Sequence, residues 1–146
     1  MSVRDFRDLV AWQLADALKL EVLAFTSDGP AARDYRFRDD IRASAASAPT
    51  NIAEGFGRFR PLPFVQFLEY AIASLQETRN HLLDAKDRQY IDAKLFSRRW
   101  NLAKSAARTT THLLLSKRRQ AEEERNEKRS ARAKSREHHT RRTRNQ

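Results

Sequence analysis

The chain has 146 residues, carries 29 Lys and Arg against 19 Asp and Glu for a net charge of +10, and contains no cysteine. That length suits about one domain with room for a working core. The missing cysteine excludes a disulfide framework, a thiol nucleophile and a thiolate metal site. Residues 117–146 hold 12 basic and 5 acidic side chains, or +7, which leaves 17 against 14, or +3, for residues 1–116. The division predicted is a folded domain over 1–116 and a basic tail over 117–146. Met1-Ser2-Val3-Arg4-Asp5 lacks an apolar signal core, and no window approaches the roughly 20 apolar residues a membrane span needs, so a cytoplasmic protein without membrane contact is expected.

In chain order, a first helix is predicted from about Phe6 to Phe25, with Val10, Leu14, Ala17, Leu18 and Phe25 as its core stripe and Thr26-Ser27-Asp28-Gly29-Pro30 as its stop. A second helix starts near Asp34, which supplies a capping carboxylate. It carries Phe37, Ile41, Ala45, Ala48 and Ile52 inward until Gly55 and Gly57 end it. Pro49 removes one backbone donor and predicts a kink in a continuous helix, because the apolar rows keep their register across it. Ser44, Ser47, Asn51 and Glu54 form a polar row beside those apolar positions. Asn51 and Glu54 are expected to bind backbone groups left free by Pro49 and by the glycine-rich helix end, making Pro49, Asn51, Glu54 and Gly55 a structural motif. The other reading of the row is a contact surface.

The connection Arg58-Phe59-Arg60-Pro61-Leu62-Pro63 leads to a third helix with Pro63 in its first turn. From Phe64 to Ile72 that helix is apolar around most of its circumference. This predicts a second buried face, and so a homo-oligomer interface of Phe64, Val65, Phe67, Leu68 and Ile72. Leu75, Thr78 and Leu82 then narrow to one stripe that ends near Asp87-Arg88. A fourth helix, capped by Asp92, runs through Leu95, Leu102, Ala106, Thr109 and Leu113, and its apolar pattern stops at Leu115. Glu122 to Arg136 favours helix by composition but offers only alanines as apolar side chains, so a helix there is frayed or solvated until something binds it. His138 to Gln146 is expected to be disordered.

Ala48-Pro49-Thr50-Asn51-Ile52-Ala53-Glu54-Gly55, with Asp8-Leu9-Val10-Ala11-Trp12-Gln13 before it and Phe67-Leu68-Glu69-Tyr70-Ala71-Ile72-Ala73-Ser74-Leu75-Gln76-Glu77 after it, resembles the ribosomal-RNA intervening-sequence protein family of bacterial four-helix bundles, over roughly residues 4–115. Elements and resemblance together predict an all-α chain, an antiparallel up-down four-helix bundle with a basic, disordered C-terminal tail. The resemblance implies relatives encoded within inserts of ribosomal RNA genes. It also implies a similar branch that serves as accessory protein to reverse transcriptases of diversity-generating retroelements, as basic pentameric rings in contact with nucleic acid and the polymerase. Relatives usually carry a small polar cap where this chain has Leu62, which has no side-chain acceptor.

Signs of catalysis are few. Glu77 and His81 lie one turn apart, but the di-metal bundles repeat such a pair and this chain does not. His138-His139 would need further ligands. Gly55-Phe56-Gly57-Arg58 follows a helix and lacks both the Gly-Lys-Ser/Thr ending and the preceding strand of a phosphate loop. His81 and His112, the histidines of the body, have no nucleophile in a strained turn beside them. No catalytic residue, cofactor or metal is expected, and two non-enzymatic readings stand. In the first, the bundle binds RNA or DNA backbone with little sequence specificity through Lys117, Arg118, Arg119, Arg125, Lys128, Arg129, Arg132, Lys134, Arg136, Arg141, Arg142 and Arg144. Body arginines Arg33, Arg36, Arg38, Arg42, Arg58 and Arg60 come next, and Tyr35, Phe56 and Phe59 are the aromatics able to stack on bases. In the second, the bundle is a protein assembly scaffold and the tail only solubilises it.

Overall fold

The computed structural model describes residues 2–144, with side chains described through Thr140. Five α-helices are present among the described residues: α1 Val10–Phe25, α2 Gly29–Arg33, α3 Tyr35–Gly57, α4 Pro61–Asp87 and α5 Ala93–Arg144. The short α2 occupies the stretch read as a simple stop. Phe6–Asp8 is a separate single turn, closed by reciprocal side-chain bonds between Asp5 and Asp8 and the facing backbone N–H groups. No described helix is long and apolar enough to cross a membrane.

The four long helices pack in a closed circuit, with α1 against α3 and α5, and α4 against the same two. Contacts between α3 and α4 run in opposite directions along the two chains. Asp34 meets Arg88 and Tyr90, Ser44 meets Thr78, Ser47 meets Ser74, and Gly55 meets Phe64, so this pair is antiparallel. Phe37, Ile41, Ala45, Ala48 and Ile52 of α3 are buried as their spacing predicts, and so are Leu75, Thr78 and Leu82 of α4. α3 is one continuous helix with Pro49 inside it.

The core registers of α1 and α5 differ in part from the expectation: Leu18 and Ala106 are buried as expected, and the other expected positions are not. Val10 is 57% exposed, and the buried face of α1 is Ala11, Ala15, Leu18 and Val22, with Leu14, Ala17 and Phe25 half-buried at its flanks. On α5, Leu95 is exposed, and Leu102, Thr109 and Leu113 are half-buried beside a core row of Arg99, Ala103, Ala106, Ala107, Thr110 and Leu114. The cause is close packing. Small side chains fill much of the seam where helices approach each other, beside Leu18, Val22 and Leu114, and Leu14, Leu102 and Leu113 splay to the sides.

Asp34 ties the start of α3 to the α4–α5 connection. Its Oδ1 accepts the Phe37 backbone N–H at 3.1 Å, and its Oδ2 accepts the Tyr90 hydroxyl at 2.8 Å and Arg88 Nη1 at 3.4 Å. The Phe37 N–H first, and then the Tyr90 hydroxyl, hold the Asp34 carboxyl below the usual aspartate range. A depressed carboxyl stabilises the fold above its unfolded value of about 3.9 and loses that contribution as pH falls through the lower folded value. Acid titration of the melting temperature is therefore expected to separate wild type from Asp34→Asn at neutral pH and to bring the two curves together below about pH 3.9. Parallel curves down to the acid limit would contradict this.

Candidate nucleic-acid interface

The tail agrees with expectation over Glu122 to Arg136, a solvated helix, and departs from it in remaining helical from His138 to Arg144. α5 has 52 residues, about 78 Å of helix, and it crosses the expected boundary at 116/117 without interruption. His138 to Arg144 continue this helix; Asn145 and Gln146 lie outside the described residues. Beyond the bundle every side chain from Arg125 to Thr140 is exposed.

The basic residues divide by what they do within the chain. Lys117 Nζ donates to Gln120 Oε1 at 3.2 Å and sits 5.6 Å from the Phe64 ring centroid, and Arg118 Nη2 donates to Glu69 Oε1 of α4 at 2.6 Å. Both belong to the rim of the bundle. Arg119, Arg125, Lys128, Arg129, Arg132, Lys134 and Arg136 make no ion pair among the described residues. The side chains of Arg141, Arg142 and Arg144 lie outside the described residues.

Most body arginines are occupied. Arg42 donates to Thr26 Oγ1 at 2.7 Å and Thr26 O at 3.1 Å, fastening α3 to the end of α1. Arg38 pairs with Asp39 at 2.9 Å and lies over the Tyr35 ring. Arg58 pairs with Glu54 at 3.0 Å and lies over the Phe67 ring. Arg36 has only a 3.9 Å contact with Asp40, and Arg33 and Arg60 make no ion pair among the described residues. Of the aromatics, Phe59 is 87% exposed in the left-handed region at φ 55°, Tyr35 is exposed, and Phe56 is half-buried between Phe59 and Phe64.

The polar row is largely used to join α3 to α4. Thr78 Oγ1 donates to Ser44 Oγ at 3.0 Å, and the Ser47 and Ser74 hydroxyls share a 2.8 Å bond. Asn51 Nδ2 donates to the Ser47 backbone carbonyl at 2.9 Å and to Ser47 Oγ at 3.0 Å. The expected roles need correcting on three points. The carbonyl that Pro49 deprives of its helical donor is that of Ala45, one turn earlier, whereas Asn51 reaches Ser47. Glu54 is exposed and meets Arg58 rather than backbone. Gly55 does not end α3 but lies buried within it, against Phe64 and Phe67.

The apolar start of α4 also finds its partners within one chain. Phe64, Val65 and Leu68 are buried in the core, and Ile72 packs partly buried against it. The second face inferred from them is therefore filled by α3 and α5, and Val65→Glu would strike the core of a single chain. What the start of α4 leaves outward is Leu62, Tyr70 and part of Phe67, and Leu83 is exposed farther along. Pro63 lies in the first turn of α4 as expected, and Pro61 takes the first position, behind an Arg60 that makes no side-chain cap.

Sequence reasoning missed a buried arginine and its ion pair with a half-buried glutamate. Arg99 is 5% exposed, its Nη2 lies 3.2 Å from Glu21 Oε2, and Arg98 reaches Glu21 Oε1 at 3.0 Å. Burial pushes the Arg99 guanidinium below its usual value, and the Glu21 charge opposes that shift. The available signal was its place in the row 99, 103, 106, 110, 114. No cluster of His, Asp and Glu with metal-binding geometry occurs among the described residues.

A family model described as 23S rRNA-intervening sequence protein matches residues 7–112, which takes in α1 to α4 and most of the packed part of α5 but none of the exposed extension. None of the curated proteins matches the sequence. The match spans well over half the chain and agrees with the helical architecture, so the chain belongs to the 23S rRNA-intervening sequence protein family.

Proposed function

We propose that the chain is a non-enzymatic, antiparallel up-down four-helix bundle that acts as a homo-oligomer and binds RNA or DNA backbone through the C-terminal extension of α5. The observation that carries this reading is the extension itself, a helix exposed from Arg125 to Thr140 on which Arg125, Lys128, Arg129, Arg132, Lys134 and Arg136 make no ion pair among the described residues. A net +7 over residues 117–146 favours phosphate, and without an aromatic to stack on bases the contact is to backbone, with little base readout. Family resemblance extends the reading to a pentameric assembly in the cytoplasm and to accessory service for a reverse transcriptase. With Phe64, Val65 and Leu68 spent inside the chain, the oligomer contact falls to exposed apolar positions such as Leu62 and Tyr70.

Fluorescence anisotropy against a single-stranded RNA and a duplex DNA across a salt series tests the proposal, with the full chain compared to one truncated after Ser116. The full chain should lose affinity steeply with salt, by about 0.9 in logarithmic slope per phosphate neutralised on duplex and about 0.7 on single strands. The truncated body, which keeps every buried core residue through Leu114, should stay folded and bind more weakly by orders of magnitude at low salt. Undiminished binding would move the interface onto Arg33, Arg36 and Arg60. No binding by the full chain would favour the assembly scaffold.

A further inference from the structure

The continuity of α5 arranges its basic residues in a way that composition does not reveal. At 3.6 residues per turn, Arg118, Arg125, Arg129, Arg132 and Arg136 all fall within about 40° of one line along the helix. Glu123 and Glu127 lie on the far side, and Glu124, which accepts a bond from Gln120, is turned well away from the line. Glu122 alone among the acids borders the row. Arg118 fixes which side this is, because its guanidinium meets Glu69 of α4 at 2.6 Å. The row therefore begins on the side of α5 that faces α4 and continues past the end of the bundle, where nothing covers it.

Spacing along the row has a chemical consequence. Arg125, Arg129, Arg132 and Arg136 follow one another at rises of about 4.5–6 Å, close to the interval between successive phosphates on one strand. All four are exposed and none makes an ion pair among the described residues. Each guanidinium presents a planar fork suited to bidentate phosphate contact. We infer that Arg125, Arg129, Arg132 and Arg136 form a one-sided phosphate track that takes a single nucleic-acid strand lengthwise. Lys128, Lys134 and Arg119 lie off the track and contribute only diffuse attraction. The inference rests on the nucleic-acid reading above and deepens it by naming the face. It also lies wholly outside the family-matched residues.

Two full-length variants of equal charge decide it, Arg129→Gln, Arg132→Gln and Arg136→Gln together, and Arg119→Gln, Lys128→Gln and Lys134→Gln together. Glutamine keeps helix propensity near that of Arg and Lys, so circular dichroism should match wild type for both. Against a labelled 30-nucleotide single-stranded RNA, the on-track variant should lose about 2 units of logarithmic salt slope, three contacts at about 0.7 each, and the off-track variant well under 1. Equal losses by the two variants would overturn the track while leaving electrostatic binding by the extension intact. Failure of the wild-type chain to bind the RNA at low salt would overturn the nucleic-acid reading and the track with it.

Discussion

Glu21→Ala is expected to destabilise the chain by about 3–5 kcal/mol, because it strands a buried guanidinium. Arg99 is nearly enclosed, its side chain is stacked 5.3 Å from the Phe25 ring centroid, and its other acceptors, the Glu21 and Leu95 carbonyls, are both at 3.4 Å. Two long bonds to neutral oxygens do not replace a carboxylate. Total stabilities of single domains are on the order of 5–15 kcal/mol, so the loss is a large share, and melting should fall by on the order of 10 °C. The partner experiment removes both charges. Glu21→Leu with Arg99→Met should recover most of the loss, since a buried pair exchanged for apolar side chains of similar size is often neutral. Chemical denaturation of the two single variants and the double variant closes the cycle. A Glu21→Ala protein within 1 kcal/mol of wild type would mean that Arg99 is satisfied without its partner.

The same residues explain how much the sequence made legible. α3 was readable because Phe37, Ile41 and Ile52 are large, apolar and on one face, and α4 because Leu75 and Leu82 repeat the pattern. α1 and α5 were readable only in part, at Leu18 and Ala106, because size misleads when helices approach closely. Val10, Leu95, Leu102 and Leu113 are the bulky candidates, yet the centre belongs to Ala11, Ala15, Ala103, Ala106 and Thr110. A charged residue at a core position, Arg99, is not marked by its own hydropathy, only by its place in the row, and its partner Glu21 lies 78 positions away in the chain. The doubly apolar start of α4 was seen correctly as a pattern, but its second face turned out to be covered by the chain's own α3 and α5. At the candidate interface, composition located the basic extension. Its division into a track and an off-face set became visible only once α5 was known to be one unbroken helix.

The glycines at the end of α3 were read together, and their surroundings separate them into a test with opposite signs. A Cβ on Gly55 would stand 2.6 Å from Phe64 Cδ2 and 2.8 Å from Phe67 Cβ, whereas one on Gly57 would meet nothing within 4 Å. Phe67 Cβ is held by the α4 backbone, and the Phe64 ring is buried, so neither can yield without moving α4 away from α3. Alanine in a helix gains about 1 kcal/mol over glycine, which only partly offsets overpacking of about 1–3 kcal/mol. Gly55→Ala is therefore expected to be mildly destabilising and Gly55→Leu to reach about 3 kcal/mol or more, as the larger side chain forces the two helices apart. Gly57→Ala, in open space, should be neutral or stabilising by up to about 1 kcal/mol. Because Lys117 lies over the Phe64 ring where α5 leaves the bundle, separating α4 from α3 at this point should also loosen the root of the extension. Hydrogen exchange around residues 114–120 should then rise in Gly55→Leu and not in Gly57→Ala. Equal melting temperatures for Gly55→Leu and wild type would show that α3 and α4 do not approach as closely as Gly55 permits.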